Sequence, residues 1–380
     1  MKQVVALLTL GTLASATFAE QLDLSELALT NLDYSNTEFM DLSESIFGSH
    51  NSPMDNGDTL VRDAISNQFS YRFKTESIGL WHDGEIVATA SADYGVDTNA
   101  LREWSKSVDL NRLAGVDTEG ATRLNMLLYR HQFQELRANL TFGLQDFSNS
   151  FYKLDATNLF AMNAFKRGPE LTLPSATAFS SSAVGVQINY QFDHYYVRAA
   201  TYDSSSNYEP AKLAFNTDEG LFTAIESGIN KYGKLKLAAG AWNHRSGKDQ
   251  REYLSKDAQY GYYVIAETKY SERAALFMQM GLSNTGLNSI SGYRSAGAVI
   301  KDIFAEQDTL GVAFTKVAMD KTQVTDQRKP TTTAWEVTYR TPTLLTKDIQ
   351  TSLFYQHNPY LRVEEEASGV LGLRFYRAMY

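Results

Sequence analysis

The sequence predicts an all-β protein: a transmembrane antiparallel β-barrel of about 16 strands, with long extracellular loops on one rim and short periplasmic turns on the other. Three observations predict it. Residues 219–244 alternate with period 2 on either side of a turn at 228–233. Leu221, Thr223 and Ile225 face one way and Phe222, Ala224 and Glu226 the other; Leu235, Leu237, Ala239 and Ala241 then alternate with Lys236, Ala238 and Gly240, up to Trp242 and His244. Second, the connections between such segments alternate in length along the chain. Third, no later segment offers the ~18 consecutive apolar residues of a membrane helix, while 22 Tyr and 20 Phe against 7 Pro suit paired strands with aromatic ends.

The chain opens with a processing signal. Lys2, an apolar run over 4–13 and small residues ending Thr17-Phe18-Ala19 form the charged, hydrophobic and cleavage regions of an export signal, so residues 1–19 are set apart as a signal peptide. Residues 20–60, where Leu22, Leu24, Leu27 and Leu29 mix with Asp and Ser, read as an N-terminal periplasmic segment with room for one short strand, and residues 61–380 as the barrel.

Candidate strands then follow near 67–81, 86–95, 124–134, 138–147, 182–191, 194–202, 219–228, 234–244, 260–270, 273–281, 292–300, 308–318, 332–340, 348–357 and 369–378. Between them, short turns alternate with longer polar loops at 96–123, 148–181, 203–218, 245–259, 282–291, 319–331 and 358–368. A single-chain barrel closes with an even strand number, so these 15 segments require a sixteenth, either within 20–60 or by division of 67–81. Such a barrel leaves an aqueous channel. The longest loop, 148–181, carries an apolar group (Leu159, Phe160, Met162, Phe165) that predicts inward folding, with a short helix over 155–165. The last strand alternates Leu371, Leu373 and Phe375 with Arg374 and Tyr376 and ends at Tyr380, the terminal pattern that barrel-assembly machinery recognises.

Composition excludes several kinds of chemistry. The absence of Cys removes disulfides, a lipid-modified N-terminal Cys and thiolate metal sites. A net charge of −9 argues against a nucleic-acid partner. The run from Gly228 to Lys234 has P-loop spacing, but Leu235 follows where Ser or Thr is needed, and it opens a strand instead of a helix. The six His are scattered without a metal-binding pair, and no Gly-x-Ser-x-Gly elbow occurs. No cofactor is expected. An outer-membrane barrel enzyme of phospholipase or protease type, assembled from separate strands, stays as an alternative, as does a soluble periplasmic β-protein. The run Glu364-Glu365-Glu366 reads as a solvated outer loop, with divalent cations bridging lipopolysaccharide as its functional alternative.

Strand alternation places Leu221, Ile225, Leu237, Leu371 and Leu373 toward lipid. It places Glu226, Lys236, Glu267, Lys269, Gln279, Glu336, Arg340, Gln350, Gln356 and Arg374 toward the lumen. Mixed signs with amides favour neutral polyhydroxylated solutes, which need paired donors and acceptors. Trp242, Tyr263 and Phe277 would add flat surfaces for sugar rings. In the long loop, packing of Phe160 and Phe165 on the wall would project Asn163, Lys166, Arg167 and Glu170 into the channel as a constriction.

From about Asn125 onward the chain resembles the carbohydrate-selective porins of the OprB type. The resemblance is carried by Asp146-Phe147 with Ser150-Phe151-Tyr152, by Phe160 to Phe165, by Gly240 to His244, and by Tyr263 to Glu267. It continues through Leu276 to Gly281, Ile303-Phe304 with Asp308 to Gly311, Trp335 to Tyr339, Gln356 to Pro359 and Gly372 to Arg374. Near Phe304 the chain has Ala305-Glu306 where the family often carries Gly-Arg. The resemblance implies a 16-stranded outer-membrane barrel passing glucose and related sugars by diffusion, narrowed by inward-folded loops. A general or anion-preferring porin is the alternative within transport. The expected partners are small sugars, outer-membrane lipid and lipopolysaccharide, the assembly machinery and further copies of the chain in a homotrimer.

Overall fold

The computed structural model describes residues 37–51, 59–95, 122–166, 168–171, 182–203, 220–231, 234–247, 258–284, 290–320, 331–342, 349–358 and 368–379. Among them, sixteen strands close into one antiparallel barrel in sequence order, β1 pairing with both β2 and β16. The strands are β1 (Thr37–Asn51), β2 (Thr59–Lys74), β3 (Gly84–Gly95), β4 (Thr122–Phe133), β5 (Ala138–Gln145), β6 (Ala183–Phe192), β7 (Tyr195–Asp203) and β8 (Gly220–Lys231). After them come β9 (Leu235–Ser246), β10 (Ala258–Lys269), β11 (Ala274–Ser283), β12 (Ile290–Lys301), β13 (Thr309–Met319), β14 (Thr331–Thr341), β15 (Ile349–Asn358) and β16 (Ser368–Met379).

The sixteenth strand is β1, so the barrel begins at Thr37 and not at residue 61. This strand lies within 20–60, one of the two places the sequence leaves for a sixteenth strand, and it is a full 15-residue barrel strand where only a short one in a periplasmic segment was expected. The pattern was masked there because Ser, Asp and Gly are scattered through the strand, yet its backbone bonds to two neighbours and closes the sheet. The segment read as 67–81 is also corrected. Strand β2 stops at Lys74, and a 3₁₀ turn over Thr75–Ile78 follows, ended by Gly79 at φ 75°, a left-handed conformation that glycine adopts without a Cβ clash. The Thr75 hydroxyl donates to the Trp81 carbonyl at 2.6 Å and fixes this turn.

Burial along the strands is the inverse of a soluble protein's. Ile225, Leu237, Val264, Met278, Val312 and Phe314 are exposed, while Glu226, Gln279, Thr315 and Glu336 on the opposite face are buried. Ile225 and Leu237 thus face outward as expected, and Leu221 is half-buried on the same face. The side chains of Leu371, Leu373 and Arg374 lie outside the described residues; only the backbone register of β16 is on view.

Short turns between β2 and β3, β4 and β5, β6 and β7, and the later pairs fall on one rim, the rim that also holds the start of β1 and the end of β16. That rim is periplasmic in barrels of this kind. Its β12–β13 turn is tied by Asp308, whose carboxylate accepts the amides of Ile303, Phe304 and Ala305 at 2.7, 2.9 and 2.9 Å and the Tyr339 hydroxyl at 2.9 Å. Burial pushes this carboxyl up, but the four donors outweigh it and hold it below the usual carboxylate range.

Candidate functional site

The connection between β5 and β6 folds into the lumen, and wall side chains hold it there. Asp146 accepts the Ser148 amide at 2.7 Å, and Phe147 stacks on Phe151 with ring centroids 4.7 Å apart, against Tyr202 and Phe222. The Tyr152 amide donates to Glu226 of β8 at 2.9 Å, the Ala156 amide to Glu267 of β10 at 2.9 Å, and the Ala161 and Met162 amides to the two oxygens of Glu336 of β14, each at 2.7 Å. The carbonyls are met by cations and a phenol. Arg198 donates to Ser150, Lys236 to Lys153 at 2.5 Å, Arg340 to Asn158 and Leu159 at 3.3 and 3.4 Å, and the Tyr293 hydroxyl to Ala164.

The physical reason is backbone satisfaction. An irregular segment packed in a lumen buries amides and carbonyls that regular structure would pair, and each unpaired group costs about 1–3 kcal/mol. Here carboxylates take the amides and cations take the carbonyls. The expected helix over 155–165 is accordingly split into a 3₁₀ turn at Ala156–Leu159 and a one-turn α-helix at Asn163–Lys166. A continuous helix would join the Met162 amide to the Asn158 carbonyl. Glu336 takes the first and Arg340 the second.

Close approach also needs glycine. A Cβ on Gly311 would lie 2.5 Å from Leu159 Cδ2 and 2.8 Å from Phe160 Cζ, and one on Gly281 would collide with the Glu170 carboxylate. Glu170 is fully buried beside the Tyr152 hydroxyl, which donates to it at 3.3 Å. Burial raises its carboxyl to about 8, so the neutral form is the one that packs.

These contacts revise the expected channel lining. Glu226, Glu267 and Glu336 do point inward, but they are 1%, 5% and 0% exposed because the loop covers them. Trp242 is stacked against Phe222 and buried, and Tyr263 donates to Glu226 at 2.7 Å, so neither offers a free face to a sugar ring. Glu170, expected to project into the channel, is packed away from it. Lys236 is half-buried and committed to Lys153. The backbone of Asn163 and Lys166 lies in the one-turn helix, while their side chains, and Arg167 entirely, fall outside the described residues.

A cavity lies between the loop and the wall at β2–β5. Its polar lining is Arg72, Arg130, Thr141 and Gln145 of the wall with Asn149 and Ser150 of the loop, and Val87, Met126 and Leu128 complete it. Glu85 bridges the two arginines, with Oε1 3.2 Å from Arg72 Nε and Oε2 3.1 Å from Arg130 Nη1. Both arginines remain substantially exposed. Sequence reasoning missed this trio. Arg72 lay in a segment whose end was misplaced, and Glu85 in a presumed turn. Arg130 shares its face with Met126 and Leu128, which look lipid-facing in sequence. Cross-strand parity from Thr141, opposite Arg130 in the register, was the available signal.

The family model described as carbohydrate-selective porin, OprB family, matches residues 62–375. The chain belongs to the OprB family. Among solved structures, a high-pH structure of Pseudomonas putida OprB has a TM-score of 0.74 at 14% identity, covering 90% of this chain and 94% of that one. The trimer form of OmpT, an outer-membrane protein of Vibrio cholerae, has a TM-score of 0.55 at 11% identity, covering 90% and 99%. A Rhodopseudomonas blastica porin variant has a TM-score of 0.53 at 11% identity, with the same coverage. At these identities the likenesses show the porin fold alone. No curated protein matches the chain. As a member of the OprB family, the chain is a carbohydrate-selective porin of the outer membrane, a channel with a loop lodged in its lumen.

Proposed function

We propose that small, glucose-like sugars diffuse through the space between the inward loop and the β2–β5 wall, without covalent chemistry. The observation that carries this reading is the Arg72–Glu85–Arg130 group facing Asn149 and Ser150 across open space. Fixed donors and acceptors of both signs suit a neutral polyol, whose hydroxyls both give and take hydrogen bonds. On the same reading, Asn163, Lys166 and Arg167 supply further contacts from the loop. The wall residues Glu226, Lys236, Trp242, Glu267 and Glu336 act indirectly, by holding the loop at the width that sugars meet; Arg374 is proposed as a lumen charge on β16.

Arg72 and Arg130 place two positive charges beside Glu85 on this wall, and a general or anion-preferring porin is the second reading they support. We further propose export by residues 1–19, recognition of the C-terminal strand during assembly, contact with lipopolysaccharide and a homotrimeric state. The test is single-channel recording in a planar bilayer with sugar titration. Stepwise conductance reduced by glucose is expected. Deleting residues 155–171 should raise conductance and abolish the block; a correctly folded deletion with unchanged conductance overturns the role of the loop.

A further inference from the structure

We propose that Arg294 and Lys316 form, on the outside of the barrel, a binding site for the phosphate of a glycolipid in the outer leaflet. The two residues are direct cross-strand partners on β12 and β13. Their chain neighbours turn inward: Tyr293 and Ser295 on one strand and Thr315 and Val317 on the other are buried, and the Tyr293 hydroxyl is bonded to the loop in the lumen. Alternation therefore sends Arg294 and Lys316 to the membrane side, where both are exposed. Among the described residues, neither side chain has a hydrogen-bonding or ionic partner.

Like charges directly opposite one another across a strand pair repel, and charges facing lipid are costly unless they reach the interface. An unpaired cation pair on this face is thus unfavourable without an anion between its members. Depth identifies the anion. One cross-strand pair nearer the periplasm come Ala296, Phe314 and Trp335, and Trp335 stacks with Tyr355 and His357 at centroid distances of 5.2 and 5.8 Å. Such aromatic belts mark the membrane–water boundary. On the other side, Tyr262 and Leu282 pair one step nearer the rim of long loops than Met280 and Arg294, so the cations stand between Trp335 and Tyr262, within the aromatic belt at the headgroup boundary of the cell exterior. Thr333, opposite Lys316 and exposed, adds a hydroxyl beside them, and Met280, Phe314 and Val312 give an apolar track for acyl chains. Arginine with lysine, a planar fork beside a mobile point charge, suits a phosphate monoester.

The proposal rests on the outer-membrane orientation of the porin and is independent of the route that sugars take. The test uses the full-length barrel in detergent and native mass spectrometry, titrated with diphosphorylated lipid A, the same lipid stripped of phosphate, and phosphatidylglycerol. One retained lipid A per chain is expected, with at least tenfold weaker binding in R294Q/K316Q and in the dephosphorylated lipid. The charge-keeping exchange R294K/K316R should retain it. Sugar-blocked conductance, recorded on the same variants, should stay at the wild-type level and verifies their folding; if the double variant does not fold, R294Q and K316Q singly serve in its place. Equal binding by the uncharged variant, or equal binding of phosphatidylglycerol, overturns the site. Loss of conductance in the wild type would instead overturn the porin route and leave the lipid result readable.

Discussion

Glu336 and Met162 lie 174 residues apart in the chain, yet the Met162 amide donates to the Glu336 carboxylate at 2.7 Å. The Ala161 amide occupies the other oxygen, and Gln356 and Thr338 donate to the same group. One buried carboxylate thereby ties the middle of the lumen loop to the wall at β14.

Removing it should loosen the constriction. E336A leaves two buried amides without acceptors, a loss of about 3 kcal/mol measured by urea unfolding. Its single-channel conductance should rise and its sugar block weaken. E336Q, which keeps one acceptor oxygen, should fall between E336A and the wild type. Wild-type conductance in E336A would show that this clamp does not set the channel width.

The arginine pair should set ion preference and sugar contact together. R72Q/R130Q removes two positive charges beside Glu85, and the reversal potential in a salt gradient should move toward cation preference. Losing hydrogen bonds worth about 1 kcal/mol each should weaken glucose block roughly fivefold or more. An unmoved reversal potential would mean that ions and sugars pass elsewhere.

Glu170 gives a pH dependence with a definite sign. Burial raises its folded pKa to about 8, above the ordinary carboxylate value that holds in the unfolded chain. Between those two values the folded protein holds a proton that the unfolded one has released, so stability falls as pH rises. The contribution is complete below the ordinary carboxylate value and is lost as pH climbs through about 8. Thermal unfolding from pH 6 to 9 should show this decline, together with noisier conductance as the loop end loosens. E170Q should be flat over the same range.

The outward face predicts a depth-dependent cost. Ile225 stands near the middle of β8 and is 52% exposed toward lipid. I225K should destabilise the barrel by ~2–4 kcal/mol in a folding assay with lipid vesicles, while N149K, on the water side, should cost close to nothing. Comparable costs at the two positions would contradict the assigned faces.

The sequence by itself determined the closed sheet, its membrane setting and the loop that enters the lumen. Those features depend on local signals: period-2 alternation at Leu221 to Glu226 and Leu235 to Ala241, connections of alternating length, and an apolar cluster in a loop. It also determined that Glu226, Glu267 and Glu336 face inward, because parity along one strand needs no knowledge of any other. Only the tertiary structure decided what those carboxylates do. Whether an inward glutamate meets water or a peptide amide depends on where the loop after β5 comes to rest, and that loop reaches β14 across most of the barrel. The same holds for β1, whose mixed residues become a strand because β2 and β16 offer two unpaired edges, and for Arg72, Glu85 and Arg130, which three separate strands bring to one carboxylate. Alternation is a property of neighbours in sequence, whereas pairing and covering are properties of neighbours in space.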